Sequence, residues 1–128
     1  MIGIDIVKIN RIAEAMNNSK FCDRILNEEE KQYAFSKSSL VTIEGFNSIA
    51  MTVAGLFASK EAVLKALGVG MKSGYGFKDV LITHDKKGAP IVKLSSKLEK
   101  VLKTKNKSMV CVSIAHDGQY AIASASLE

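Results

Sequence analysis

The sequence predicts an α+β fold: one small domain in which a mainly antiparallel sheet packs on a long central helix. Three stretches carry this. Residues 2–9 alternate in the manner of a strand. Residues from about 48 to 67 keep an apolar face at helical spacing. Residues 109–115 and 120–127 are β-rich runs on either side of Asp117-Gly118, a hairpin signal.

The elements follow in order. Ile2, Ile4 and Ile6 share one strand face, and Gly3, Asp5, Val7 and Ile9 share the other. Both faces carry apolar residues, which predicts a strand buried on both sides. A short helix is expected over 10–18 and a further helical turn over 21–26. Asn27, with Glu30 three residues on, reads as a capping box opening a helix to about Phe35. Residues 36–45 read as a polar loop. The long helix takes Asn47 or Ser48 as its cap and buries Val53, Leu56, Phe57, Leu64 and Leu67. Gly68 stops it. A glycine-rich loop follows over 68–76, then a strand over 77–83, a turn over 85–88 and a strand over 90–94. Ser96 with Glu99 reads as a second capping box, opening a helix to about Lys103.

At 128 residues the chain suits one domain, 1–128, with a core that needs no covalent staples. Hydrophobic residues at 47% exclude a disordered chain. Cys22 and Cys111 have no CxxC spacing, so they form neither a disulfide framework nor a zinc cluster and read as reduced thiols. Asp5 interrupts the N-terminal apolar run, which argues against a signal peptide. The longest mostly apolar run, 49–58, falls short of the roughly 20 residues of a membrane span. A soluble cytoplasmic protein is expected. The net charge is +5, and all but two of the 18 cationic residues are lysines. The exceptions are Arg11 and Arg24. Few arginines disfavour base readout in nucleic acid, whereas lysines suit phosphates or an acidic protein partner. The lysine run over 97–107 reads as a solvated helix face.

Two carboxylates stand out. Asp5 sits between isoleucines in a strand, where a carboxylate needs a cation, a cluster of donors, a salt bridge or a sheet edge. Glu61 lies on the long helix among apolar and small neighbours, open either to an ordinary pairing with Lys65 or to a metal. Two carboxylates on buried elements suit Mg²⁺, which is commonly held by one or two carboxylates plus substrate phosphates. Lys60 and Lys65, with Lys72 in the glycine loop, could cradle those phosphates. The glycine pattern is neither GxGxxG nor a P-loop. His84 and His116 each end a predicted strand, and no GxSxG elbow is present.

Four segments together resemble the holo-acyl-carrier-protein synthases, small bacterial 4′-phosphopantetheinyl transferases. They are GIDIVKINRI over 3–12, FCDRIL over 21–26, FASKEAVLKALG over 57–68, and VSIAHD over 112–117 with YAIA over 120–123. They occur in the family's order across nearly the whole chain. The resemblance implies Mg²⁺-dependent transfer of the 4′-phosphopantetheine arm of coenzyme A to a serine of apo-acyl carrier protein. Adenosine 3′,5′-bisphosphate leaves, and the reaction serves fatty acid biosynthesis. Asp5 and Glu61 match the metal-binding carboxylates, and Glu61 is the expected acceptor of the serine proton. Lys65 matches a lysine near the phosphates. Lys60 and Gly68 belong to the same coenzyme A-binding motif, although the Lys60 side chain points about 100° away from Glu61 around the helix. His116 matches a histidine expected at the nucleotide or pantetheine end of coenzyme A. Arg11, Lys20, Phe21 and Arg24 lie on segments matching the carrier-docking surface. The family implies a homotrimer with active sites between subunits, and no role for nucleic acid or membrane.

The chain departs from the family pattern at three positions. Leu56 stands where Arg is frequent, Lys8 where Glu is common, and Ala115 where Ser or Thr is frequent. Two other classes compete: a non-catalytic basic module for RNA or an acidic protein, and a metal-dependent nucleotide hydrolase using the same carboxylates.

Overall fold

The computed structural model describes residues 1–36, 42–43, 46–70 and 73–128, with the side chains of 42, 43, 46 and 47 left aside. The expectation for Lys72 lies outside the described residues, as does most of the loop read over 36–45. Strand β1 (Ile2–Lys8) runs straight into helix α1 (Ile9–Ala15). Ile9 therefore belongs to the helix and not to the strand, and its amide donates to the Gln119 carbonyl at 2.8 Å. The helix ends at Ala15, short of the expected 18.

Helices α2 (Phe21–Ile25) and α3 (Glu28–Phe35) follow. Both halves of the Asn27–Glu30 capping box are present. Strands β2 (Thr42–Ile43) and β3 (Phe46–Asn47) form a small antiparallel pair, so part of the expected loop is extended and paired. Helix α4 (Ser48–Leu67) begins immediately after β3. Gly68, at φ +71°, lets the chain leave this helix with Val69 N–H bonded to Leu64 O at 3.1 Å.

The strand expected from Phe77 starts three residues later. Phe77–Asp79 forms a 3-10 turn, because the Asp79 carboxylate accepts from Gly76 N at 2.9 Å and closes the chain on itself. Strands β4 (Val80–His84) and β5 (Pro90–Leu94) then pair as a hairpin. Helix α5 (Ser96–Thr104) is capped by Ser95 and not Ser96, since Ser95 Oγ accepts from Leu98 N. Strands β6 (Val110–Asp117) and β7 (Tyr120–Leu127) turn around Gly118-Gln119, one residue past the expected pair, with Gly118 at φ +56°.

The main sheet has the order β1-β7-β6, all antiparallel. Cross-strand partners share a face. Gly3, Asp5 and Val7 therefore align with Ala125, Ala123 and Ala121, and these with Val112, Ile114 and His116. Small alanines on β7 let this face lie close against α4, whose Ala54, Ala58, Ala62 and Ala66 are buried. The second face has no cover from the described residues of the chain. Ile2, Ile4 and Ile6 are 77%, 57% and 59% exposed there, correcting the expectation of a strand buried on both sides. Alternation alone could not separate an apolar face covered by this chain from one left open.

Candidate active site

Asp5 lies mid-strand on the face that meets α4. Gly3 precedes it on the same face, where a Cβ would stand 2.0 Å from Ala62 O and 2.6 Å from Ala66 N. No side chain fits there. The bare backbone at position 3 brings β1 down onto the helix and carries Asp5 to the turn that bears Glu61 and Lys65. The Asp5 side chain is 16% exposed, and Lys65 Nζ sits 3.1 Å from its Oδ1. The same ammonium donates to Ile4 O at 2.9 Å.

Glu61 is half-buried. Burial pushes its carboxyl above the usual glutamate range, the Asp5 charge adds to that rise, and Lys65 opposes it. The strand carboxylate and the helix carboxylate thus share one electrostatic neighbourhood, with the half-exposed Lys65 paired to Asp5. Among the described residues no group of three or more His, Cys, Asp or Glu comes together. The protein supplies two oxygen-rich groups and leaves the remaining positions open. That donor set fits a hard divalent cation completed by phosphate oxygens and water, and does not suit a closed structural zinc site.

Lys60 corrects the expectation of a coenzyme contact. Its side chain is wholly buried, with Nζ 2.5 Å from Glu30 Oε1 and 2.7 Å from Ile25 O. The step of about 100° between neighbouring helix residues sends Lys60 inward while Glu61 stays at the seam with β1. Burial pulls the Lys60 ammonium below the usual lysine range, and the Glu30 charge pulls it back up. Glu30 is also wholly buried: Oε1 accepts from Asn27 N at 2.7 Å and Oε2 from Ile82 N at 2.8 Å. Sequence reading identified this glutamate only as a capping residue.

A 640 Å³ cleft opens beside Glu61 between α2, α4 and the 3-10 turn, lined in part by Phe21, Arg24, Phe57, Phe77 and Lys78. Phe57 stands centrally, with ring centroids 6.5 Å from Phe21 and 5.2 Å from Phe77. Phe21 and Arg24 thus meet the Glu61 neighbourhood, whereas Arg11 and Lys20 are exposed on and beside the preceding helices. Phe77 and Lys78 were missed because the segment read as plain strand. The one available signal was Phe57 at four residues before Glu61, which puts an aromatic on the same helix face.

His116 lies elsewhere. Its Nε2 is 3.0 Å from Met51 O, and its ring is 3.2 Å from where a Gly55 Cβ would be. It borders a 290 Å³ hollow with Thr52, Gly55, His84, Pro90 and Ser113. Gly55 and Glu61 are six residues apart, about 9 Å along the helix axis. Within one chain the histidine and the carboxylate pair therefore occupy different hollows. Leu56 is a core residue here, and Lys8 and Ala115 are exposed, so none of the three departures disturbs Asp5 or Glu61.

The chain is similar to known proteins over its whole length. Residues 1–125 match the model of the 4′-phosphopantetheinyl transferase superfamily. The holo-[acyl-carrier-protein] synthase of Campylobacter lari is 41% identical over 130 aligned positions, covering 100% of this chain and 98% of that protein. The Helicobacter pylori holo-[acyl-carrier-protein] synthase, solved in complex with coenzyme A, superposes with a TM-score of 0.80 at 34% identity over the whole of both chains. The Bacillus anthracis synthase, solved with CoA (3′,5′-ADP), gives a TM-score of 0.77 at 35% identity, covering 99% of this chain and 94% of that one. The chain belongs to the 4′-phosphopantetheinyl transferase superfamily and, within it, to the holo-acyl-carrier-protein synthases.

Proposed function

We propose that the chain, acting as one domain over 1–128, transfers 4′-phosphopantetheine from coenzyme A to a serine of apo-acyl carrier protein, with Mg²⁺, for fatty acid biosynthesis. The observation that carries this reading is that β1 packs on α4 so that Asp5 pairs with Lys65, one helical turn from Glu61, whose carboxyl feels the Asp5 charge. The coenzyme A bound by the Helicobacter pylori relative supports the choice of substrate.

The serine Oγ forms a bond to the pyrophosphate phosphorus nearer pantetheine, and the bridging P–O bond breaks. The leaving group is adenosine 3′,5′-bisphosphate. Mg²⁺, held by Asp5 and Glu61, would neutralise charge on the pyrophosphate oxygens. Lys65 adds a fixed positive charge where negative charge grows. Glu61 takes the serine proton. Gly68 ends the helix three residues past Lys65, and its bare backbone would let a phosphate approach there.

Phe21, Phe57 and Phe77 offer an apolar seat for a carrier helix, and Arg11, Lys20 and Arg24 offer positive charge for its carboxylates. The open sheet face supports a homotrimer: three exposed isoleucines on an edge strand form a patch of the kind that marks protein interfaces. The separation of the His116 hollow from the Glu61 cleft fits an active site completed by a second subunit, with His116 at the coenzyme. A cytoplasmic location is consistent with the described residues, where no helix is long and apolar enough to cross a membrane.

The test is incubation with coenzyme A, Mg²⁺ and apo-carrier protein, followed by intact mass measurement. A carrier heavier by one phosphopantetheine arm is expected. Cleavage of coenzyme A without any carrier would favour the hydrolase, and no reaction with either would leave the basic adaptor.

A further inference from the structure

The Glu30–Lys60 pair has a place in the molecule that capping does not explain. Both side chains are 0% exposed. Their polar atoms tie four elements together: Lys60 Nζ reaches the Ile25 carbonyl at the end of α2, and Glu30 accepts from Asn27 N at the start of α3 and from Ile82 N in β4. The fourth element is α4, held at the residue before Glu61.

A helix packed through alanines and a glycine has little side-chain relief to resist rotation about its axis. The β1 face of α4 is of this kind, with Ala62 and Ala66 against Gly3 and Ala58 buried one turn earlier. A buried ion pair does resist such rotation, because any turn of the helix must stretch charged hydrogen bonds in a low-dielectric interior. We propose that Glu30, acting through Lys60, is a positioning residue that fixes the roll of α4 and so aims Glu61 at Asp5. The inference rests on the cation-site reading above and adds to it a named support outside the site.

The experiment uses the full-length protein and Mn²⁺ as the probe, with free Mn²⁺ followed by electron paramagnetic resonance. Removing one member of a buried pair strands the other, so the main variant neutralises both: Glu30→Gln with Lys60→Met. Circular dichroism establishes that it is folded. Its Mn²⁺ Kd is expected to rise about tenfold, in line with losses from groups that orient metal ligands. The Mn²⁺ concentration for half-maximal transfer should rise in step. A merely structural role would lower the amount of active protein and leave both concentrations where they were.

Glu30→Asp serves as a second variant if the double one does not fold, because it keeps the charge and shortens its reach; weaker Mn²⁺ binding is again expected. Wild-type binding that is lost in Asp5→Asn but stays within twofold in the folded variant would overturn the positioning role alone. Equal Mn²⁺ binding by wild type and Asp5→Asn would overturn the cation-site reading and this proposal with it.

Discussion

Lys65 and Asp5 join the central helix to the edge strand, with the ammonium 3.1 Å from the carboxylate and 2.9 Å from the neighbouring Ile4 carbonyl. The lysine is therefore a positive charge already in place beside Asp5, one helical turn from Glu61. The Lys65 side chain is half-exposed, so its contribution to folding is about 1 kcal/mol or less. Its contribution to transfer is expected to be larger. Lys65→Met should cost about a hundredfold in kcat, the scale of losing one group that stabilises developing charge. Steady-state transfer alongside a thermal melt checks this: a small fall in Tm with a large fall in kcat is the expected split.

Gly3 is the structural condition for that pairing. A methyl at position 3 has nowhere to go, because the atoms it meets are helix backbone at 2.0 and 2.6 Å. Gly3→Ala should destabilise the fold by about 3 kcal/mol, at the upper end of overpacking costs. It should also raise the Mg²⁺ concentration needed for half-maximal transfer by lifting Asp5 from α4. Denaturant melts measure the first effect and metal titration of transfer the second. An unchanged melt would mean that the strand and helix are less tightly apposed than described.

Arg11 is exposed on α1. Arg11→Ala is expected to raise the KM for carrier protein several-fold and to spare the KM for coenzyme A. Rim charges act mainly on association, so the effect should shrink as salt rises. Kinetics at two ionic strengths distinguish this from a coenzyme contact, which would raise the other KM.

Residue pattern carried much of this before any coordinates. Alternation placed β1, apolar spacing placed α4, and the two acids in apolar settings marked the candidate site. Three things were not legible, each for a physical reason. Ile2, Ile4 and Ile6 look the same in sequence whether covered by their own chain or by another copy. Lys60 and Lys65 are both lysines of one motif, and only the packing of α3 and β4 against α4 shows that one is interior and the other lies at the site. Glu30 satisfied a local capping pattern, which hid its long-range partners at Ile82 and Lys60. Local rules see neighbours three or four residues apart; these roles depend on contacts 30 to 52 residues apart.

Glu61 carries a stability cost that can be measured. Its carboxyl holds a proton more tightly in the fold than in the unfolded chain, from burial first and the Asp5 charge second. A raised pKa of this kind favours the fold below the unfolded value, near the ordinary glutamate 4.5, and the benefit disappears as pH rises through the folded value. At neutral pH the metal-free protein therefore bears a poorly solvated carboxylate. Glu61→Gln removes that charge and should raise Tm by a few degrees at pH 7, a typical gain when a functional strain is relieved. The gain should narrow as pH falls through the raised pKa, and transfer should be nearly abolished throughout. Adding Mg²⁺ with coenzyme A should raise the Tm of wild type by more than that of the variant, which keeps Asp5 and Lys65 but lacks one of the two carboxylates for the cation. Melts from pH 4 to 8 with and without those ligands make the comparison. A Gln variant that melts at or below wild type across that range would mean that Asp5 and Glu61 do not press on one another, and that the cation has no prepared place between them.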